Sequence, residues 1–128
     1  MAPPRNKTMS ESGIVKGYVE IPYTPSQSIT RSQIHYRESG SGIPVLLLHP
    51  SPLSSQFMEP LIELFSNHAR TIGWDTPGYG QSDQLPDKDS TLKPYVSALH
   101  EFIGALELDR PLIYGSATGA QIAIEYGR

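Results

Sequence analysis

Residues 112–120 place an apolar run, two glycines and the start of a helix-like run in the order that a strand-to-helix turn requires. In the pattern Gly-x-Ser-x-Gly, such a turn presents its central serine as a nucleophile that attacks a carbonyl carbon. The corresponding segment here is Gly115-Ser116-Ala117-Thr118-Gly119, with Ala117 at its centre. A methyl group can neither attack a carbonyl nor accept a proton. The segment therefore predicts a fold more clearly than it predicts an activity.

Two other frames of this turn would place a hydroxyl at its centre. With Ser116 central, the flanking residues would be Tyr114 and Thr118, which are too bulky for the close approach that the turn requires. With Thr118 central, the flanks Ser116 and Ala120 are small, but the turn would begin too late after the strand. The glycines favour Ala117, where a positive φ would cost a non-glycine residue about 1–2 kcal/mol.

The elements that must position this turn alternate between strand-like and helix-like patterns. Strands are predicted at Ile14–Pro22, Ile34–Arg37, Val45–Leu48, Ala69–Trp74 and Leu112–Tyr114. Helices are predicted from about Met58, over Thr91–Leu108 and after Thr118. This succession predicts an α/β fold with a mostly parallel central sheet and helices on both faces.

The first two helices carry apolar residues at helical spacing. Ser54 or Ser55 can cap the first helix, whose first turn then holds Pro60. Its apolar positions are Phe57, Leu61, Leu64 and Phe65. The stripe of the second helix consists of Leu92, Tyr95, Val96, Leu99, Phe102, Ile103 and Leu106. We interpret this stripe as core packing.

Composition limits the class of protein and of partner. The 128 residues allow one domain, which we place at residues 14–128 after a disordered, polar N-terminal tail at residues 1–13. A net charge of −3 argues against nucleic acid and anionic membranes as partners. The chain has no cysteine, no apolar stretch of signal-peptide or membrane-span type and no metal-ligand spacing among its histidines. We expect a cytoplasmic protein without a bound metal.

Three motifs follow successive predicted strands. They are His49-Pro50-Ser51-Pro52 after the third strand, residues 75–83 (DTPGYGQSD) after the fourth, and residues 115–120 after the fifth. This succession resembles the α/β-hydrolase family, in which a His-Gly-x-Pro loop, an Asp-x-Pro-Gly-x-Gly-x-Ser-Asp turn and the nucleophile elbow occupy these places. The resemblance covers about Ile14–Arg128. It implies the N-terminal part of that fold, truncated after the helix that follows the elbow.

The resemblance also implies roles for single residues. The backbone N–H groups of Thr118 and Ser51 would donate to the oxygen that gains negative charge, and Ala117 would stand at the vacated nucleophile position. Pro50 replaces the family's glycine and stiffens the loop without removing the N–H of Ser51. Taken alone, this loop equally allows a turn that merely closes the strand.

The acidic turn and the histidines have other expected roles. Residues 75–83 are expected to support the sheet edge, with Asp75 and Asp83 accepting hydrogen bonds from turn amides. The family's triad places its acid and then its histidine after the nucleophile. The four histidines, His35, His49, His68 and His100, all precede the elbow. We expect His49 to hold its loop by a hydrogen bond, and His68 and His100 to be surface or helix-packing residues.

The resemblance implies hydrolysis of a small ester, amide, epoxide or halide substrate without an organic cofactor. We expect this chain to be catalytically incomplete, because it has neither the nucleophile nor the late acid and histidine. The alternatives are a non-catalytic protein that binds a ligand or a partner, and a non-functional truncated product. Leu112–Tyr114 would form an exposed edge strand, through which we expect self-association.

Overall fold

The computed structural model describes residues 8–9, 13–23, 30–86 and 91–128. The strands within these ranges are β1 (Thr8–Met9), β2 (Val15–Tyr23), β3 (Thr30–Ser39), β4 (Pro44–Leu48), β5 (Arg70–Trp74) and β6 (Leu112–Gly115). The helices are a 3₁₀ helix (Ser55–Met58), α1 (Glu59–Phe65), α2 (Lys93–Ala105) and α3 (Thr118–Tyr126). Each predicted strand and helix from residue 14 onward therefore has a counterpart in the structure.

Two sequence predictions fall partly outside the described residues. Of the expected tail at residues 1–13, only residues 8, 9 and 13 are described, and β1 pairs antiparallel with β2 through Thr8 and Met9. Residues 87–90 of the predicted turn-rich segment also lie outside the described ranges. Because β1 comes first, the strand predicted fifth along the chain is β6.

The described strands form one sheet in the order β1-β2-β3-β5-β4-β6. Strand β4 pairs parallel with β5 and with β6, whereas β3 pairs antiparallel with β5 and with β2. Consequently β2, β4, β5 and β6 run in one direction and β1 and β3 in the other, so the sheet is mixed, with its parallel part formed by β5, β4 and β6. The connection from β2 to β3 spans too few residues for a crossover, so that pair is antiparallel.

The larger core lies between the sheet and the helices α2 and α3. Leu99 and Phe102 of α2 are fully buried there, which confirms the predicted packing stripe. The ring of Phe102 lies 5.4 Å from that of Trp74 on β5 and 5.8 Å from that of Tyr36 on β3. Aromatic pairs at these separations add to the stabilisation that burial gives.

The opposite face of the sheet is covered by α1. Met58 and Ile62 bury their side chains against Leu47 of β4. Of the apolar residues at helical spacing in this segment, Leu61 packs against this cluster, whereas Phe57, Leu64 and Phe65 are exposed. The chain enters α1 through the 3₁₀ helix, which turns about three residues per turn rather than about 3.6, so the inward positions are shifted.

The start of this helical segment and its proline agree with the sequence. The side-chain oxygen of Ser54 accepts a hydrogen bond from the Gln56 N–H at 3.2 Å, which caps the 3₁₀ helix. Pro60 lies in the first turn of α1, where its missing N–H costs no helical hydrogen bond. None of the helices in the described segments has the length and apolarity that crossing a membrane demands.

Strand β6 forms one edge of the described sheet, as predicted. In register with β4, Leu112 lies opposite Val45 and Tyr114 opposite Leu47, which places them on the α1 side of the sheet. Both side chains are exposed there. Ile113, on the opposite side, packs against the larger core. The sheet thus carries uncovered apolar side chains beside an unpaired strand edge.

Candidate functional site

The turn between β6 and α3 is built around Ala117. This residue precedes the first residue of α3 and has φ 54° and ψ −117°. A positive φ is costly for a residue with a Cβ atom. The N–H of Gly119 donates to the carbonyl of Ser116 at 2.9 Å, and that of Ala120 donates to the carbonyl of Ala117 at 3.0 Å. The backbone therefore reverses direction within one residue, and the exposed methyl group of Ala117 stands at the bend.

The two glycines of the turn are required by close backbone contacts. A Cβ atom on Gly115 would collide with the backbone of Gly119 and would lie 2.5 Å from the nitrogen of Ala120. A Cβ atom on Gly119 would lie 2.7 Å from the carbonyl carbon of Leu48 at the end of β4. Real Cβ atoms do not approach backbone atoms this closely. These contacts fix the frame of the turn on residue 117.

The loop after β4 meets the start of α3 directly. The backbone N–H of Ser51 donates to the hydroxyl oxygen of Thr118 at 2.8 Å. The Thr118 hydroxyl in turn donates to the Ser51 hydroxyl oxygen at 3.0 Å. The N–H of Ser116 donates to the carbonyl of Leu48 at 3.1 Å. The structure thus brings Ser51 into contact with Thr118, which follows Ala117 and lies 67 residues further along the sequence.

The two backbone donors differ in what they contact. The N–H of Ser51 is engaged by the Thr118 hydroxyl. Within the described ranges, the N–H of Thr118 has no acceptor, as is usual for the first residue of a helix. The first turn of a helix also carries a partial positive charge. The N-terminus of α3 can therefore accommodate an anionic oxygen.

His49 holds the loop that carries Ser51. Its Nε2 atom accepts a hydrogen bond from the Thr76 N–H at 2.9 Å, so Nδ1 carries the proton and donates to the carbonyl of Pro50 at 2.9 Å. Burial lowers the pKa of His49, which keeps the ring neutral in this arrangement. The predicted positioning role of His49 is confirmed. With both ring nitrogens engaged, His49 has no free atom with which to accept a proton.

Asp75 anchors the turn after β5. Its carboxylate accepts hydrogen bonds from the Nδ1 of His35 at 3.0 Å, from the Gln81 N–H at 2.8 Å and from the Ser55 N–H at 2.7 Å. Burial alone would raise the pKa of Asp75, but these hydrogen bonds outweigh burial and hold its pKa well below the ordinary value. The predicted structural role of Asp75 is confirmed. A Cβ atom on Gly80 would collide with this carboxylate, so the turn packs tightly around it.

Arg37, which the sequence analysis placed only at the end of the second predicted strand, extends this network. Its Nε atom donates to Glu59 at 2.8 Å, and its Nη1 atom donates to the Ser55 hydroxyl at 2.6 Å and lies 3.9 Å from Asp75. The alternation of residues along β3 could have indicated which side of the sheet Arg37 occupies. On β3, His35 and Arg37 alternate with core residues, so both must project from the opposite face of the sheet.

The remaining predicted polar residues lie away from the elbow. Asp83 accepts a hydrogen bond from the turn amide of Gly78 at 3.0 Å, as expected, but through its backbone carbonyl, whereas its carboxylate accepts the Gln33 N–H of β3 at 2.8 Å. The turn folds back onto β3, which brings that strand amide within reach. His68 and His100 are exposed, and the His100 ring lies 6.5 Å from that of Tyr126, as expected of surface or helix-packing residues.

No general base accompanies the elbow in the described part of the chain. Neither a histidine nor a carboxylate lies within hydrogen-bonding distance of residues 116–118 there. Nucleophilic attack by a serine or threonine hydroxyl needs such a partner. Among the described residues, the hydrogen bonds that reach the elbow side chains come from Ser51 and Thr118.

Comparison with known proteins supports this description of the fold. The chain is 36% identical over 88 residues to the (E)-2-((N-methylformamido)methylene)succinate hydrolase of Acinetobacter baylyi, covering 69% of this chain and 33% of that protein. It is 35% identical over 91 residues to a haloalkane dehalogenase of Agrobacterium fabrum, covering 68% of this chain and 30% of the relative. No family model matches the chain.

Solved structures agree with these relatives. The crystal structure of a haloalkane dehalogenase from Agrobacterium tumefaciens C58 matches with a TM-score of 0.71 at 28% identity, covering 88% of this chain and 36% of that one. The chain spans about a third of the length of the curated relatives that it matches. Together with the strand order and the β6–α3 turn, these likenesses show that the chain belongs to the α/β-hydrolase fold family, of which its elements form the N-terminal part.

Proposed function

We propose that the elbow of this chain binds the oxygen of a small acyl ligand without attacking it. The observation that carries the proposal is the methyl group of Ala117 at a bend with φ 54°, where this fold presents a nucleophile. Alanine forms no covalent intermediate, so the usual two-step hydrolysis cannot pass through residue 117. The bend and its donors serve binding instead.

The donors of the proposed site are the N–H groups of Ser51 and Thr118. The N–H of Thr118 adds the charge of the α3 N-terminus, which favours an anionic or strongly polarised oxygen. A groove of about 420 Å³ is lined by Pro52, the residue after Ser51, and by Phe57, but not by Ser51 or Thr118 themselves. This groove would take a short apolar substituent of the ligand. A small carboxylate such as butyrate combines both features.

The family supplies the class of ligand. The relatives include a hydrolase and dehalogenases, and by family resemblance the substrates would be small esters, amides, epoxides or halides. We propose that the chain is catalytically incomplete toward them, because residue 117 is inert and His49 is committed to its loop. A ligand-binding role fits the retained geometry better than loss of all function. The glycine contacts that hold the strained bend are intact.

An ester assay tests the absence of catalysis. The purified chain is mixed with p-nitrophenyl butyrate, and release of p-nitrophenol is compared with that in buffer alone. We expect no rate above the buffer rate. Turnover that disappears in the Ser116→Ala or Thr118→Ala variant would contradict the proposal, since it would assign the attack to one of those hydroxyls.

Amide spectra test binding. Butyrate is titrated into the ¹⁵N-labelled chain, and we expect saturable shifts at the amides of Ser51 and Thr118. Butylammonium has a similar apolar chain but a cationic group, so it should leave these amides unchanged. Equal shifts with both compounds would indicate that the donors are not involved.

A further inference from the structure

The hydroxyl of Thr118 lies at the place where a ligand oxygen would meet the N–H of Ser51. It accepts that N–H at 2.8 Å and donates its own proton to the Ser51 hydroxyl oxygen at 3.0 Å. Both contacts are partly buried. The loop after β4 and the start of α3 are therefore joined by a pair of hydrogen bonds that we call the Ser51–Thr118 clasp.

We infer that the Thr118 hydroxyl is an internal substitute for the ligand oxygen, which a ligand must displace before it can bind the N–H of Ser51. The inference rests on the proposed function, because it concerns the same two donors. One N–H has one hydrogen, and sharing it between two acceptors weakens both hydrogen bonds. The clasp therefore competes with the ligand.

The geometry of Thr118 makes the displacement feasible. Its hydroxyl is attached to Cβ, so a change of one side-chain rotamer moves the oxygen away without disturbing the backbone of α3. A carboxylate oxygen forms a charge-assisted hydrogen bond with an N–H, which is stronger than the bond to a neutral hydroxyl. An anionic oxygen is thus the ligand group able to open the clasp.

The inference predicts that removing the hydroxyl tightens binding. Thr118→Val keeps the shape of the side chain but leaves the N–H of Ser51 without its internal acceptor. Since one hydrogen bond no longer has to be broken, we expect butyrate to bind about fivefold more tightly. Thr118→Ser restores a hydroxyl and should return the Kd toward the wild-type value. Thr91→Val is the matched control at a threonine that lies outside the elbow.

The Kd values come from butyrate titrations followed at the Ser51 and Thr118 amides. A fivefold decrease in Kd for Thr118→Val, reversed in Thr118→Ser and absent in Thr91→Val, supports the inference. Equal Kd values for wild type and Thr118→Val overturn the inference but leave the proposed function intact. If butyrate shifts these amides in neither protein, the proposed function fails and the inference fails with it.

Hydrogen exchange gives a second measurement that needs no variant to fold. The clasp predicts that the Ser51 amide exchanges slowly in the ligand-free wild-type chain, because its N–H is hydrogen-bonded. The Thr118 amide has no acceptor within the described ranges and should exchange faster. A Ser51 amide that exchanges as fast as that of Thr118 would overturn the inference.

Discussion

Gly119 in the first turn of α3 lies directly against the carbonyl group of Leu48 at the end of β4. A Cβ atom at position 119 would be 2.7 Å from the carbonyl carbon of Leu48 and 2.9 Å from the carbonyl oxygen of His49. The start of the helix is thus held against the central strand by backbone contact. The bend at residue 117 lies just before this contact, and Thr118 between them is hydrogen-bonded to Ser51.

Replacing Gly119 by alanine should therefore destabilise the chain. The added methyl group meets backbone that cannot move without displacing β4, and overpacking of this kind costs about 1–3 kcal/mol. Urea unfolding followed by circular dichroism measures the change. Gly104→Ala is the matched control. A Cβ there meets nothing within 4 Å, so the greater helix propensity of alanine should increase stability by up to about 1 kcal/mol. Equal effects of the two substitutions would contradict the close contact.

Relief of the strain at Ala117 should instead stabilise the chain. Glycine adopts φ 54° without a steric penalty, so Ala117→Gly should gain about 1–2 kcal/mol, offset by the larger entropy of glycine in the unfolded chain. We expect a net increase in the free energy of unfolding of about 0.5–1 kcal/mol. Ala123→Gly within α3 should instead lower the free energy of unfolding by about 1 kcal/mol. A loss at both positions would place residue 117 in ordinary helical backbone.

The Asp75 network predicts acid sensitivity. Because the pKa of Asp75 lies below its ordinary value in the folded chain, folding favours the ionised form. This contribution is complete above about pH 5 and is lost as the pH falls through the unfolded and then the folded pKa. The free energy of unfolding, measured by urea titration, should therefore decline steeply below about pH 4.

Substitution of Asp75 isolates this contribution. Asp75→Asn should cost about 2–4 kcal/mol at neutral pH, because it leaves buried donors with a weaker acceptor, and it should flatten the acid decline. Asp83→Asn removes an exposed carboxylate of the same turn and should preserve the decline. An unchanged acid slope in Asp75→Asn would show that other groups control acid unfolding.

The edge strand predicts self-association of the isolated chain. Among the described strands, β6 lies at the sheet edge and presents backbone groups without a neighbouring strand, together with Leu112, which is 64% exposed, and Tyr114, which is 51% exposed. Light scattering should report species larger than a monomer, and Leu112→Lys should reduce their size. Ile43→Lys is the matched control, since Ile43 is 65% exposed but lies outside β6. A wild-type chain that is monomeric and melts sharply would refute the prediction.

The fold could be predicted from sequence where pattern and local chemistry agree. The continuous apolar run at residues 45–48 predicted β4, because such a run is typical of a strand buried on both faces. The long stripe predicted α2, because its apolar residues recur at helical spacing. The glycines predicted the frame of the elbow, since their spacing reflects two backbone contacts. The likeness to relatives confirms the predicted family.

Tertiary detail could not be predicted in the same way. Which residues of α1 face the sheet depends on the 3₁₀ helix before it. The spacing of apolar residues within α1 does not show that the preceding turn is a 3₁₀ helix. The Ser51–Thr118 clasp and the Arg37 contacts join segments distant in the chain, so they follow from how β4, β3 and α3 pack. Asp83 binds a strand amide because the turn folds back, which its own sequence does not specify.

The most direct test of the central claim is the thiol pKa of the Ala117→Cys variant. The chain has no cysteine of its own, so the variant carries a single thiol, and the rate of alkylation by iodoacetamide against pH gives its pKa. At an exposed bend at the start of α3, beside the N–H of Thr118, the thiol pKa should fall below about 8.5. An Ala123→Cys control should show no such decrease. Equal pKa values for the two thiols would contradict an elbow with its donors arranged around residue 117.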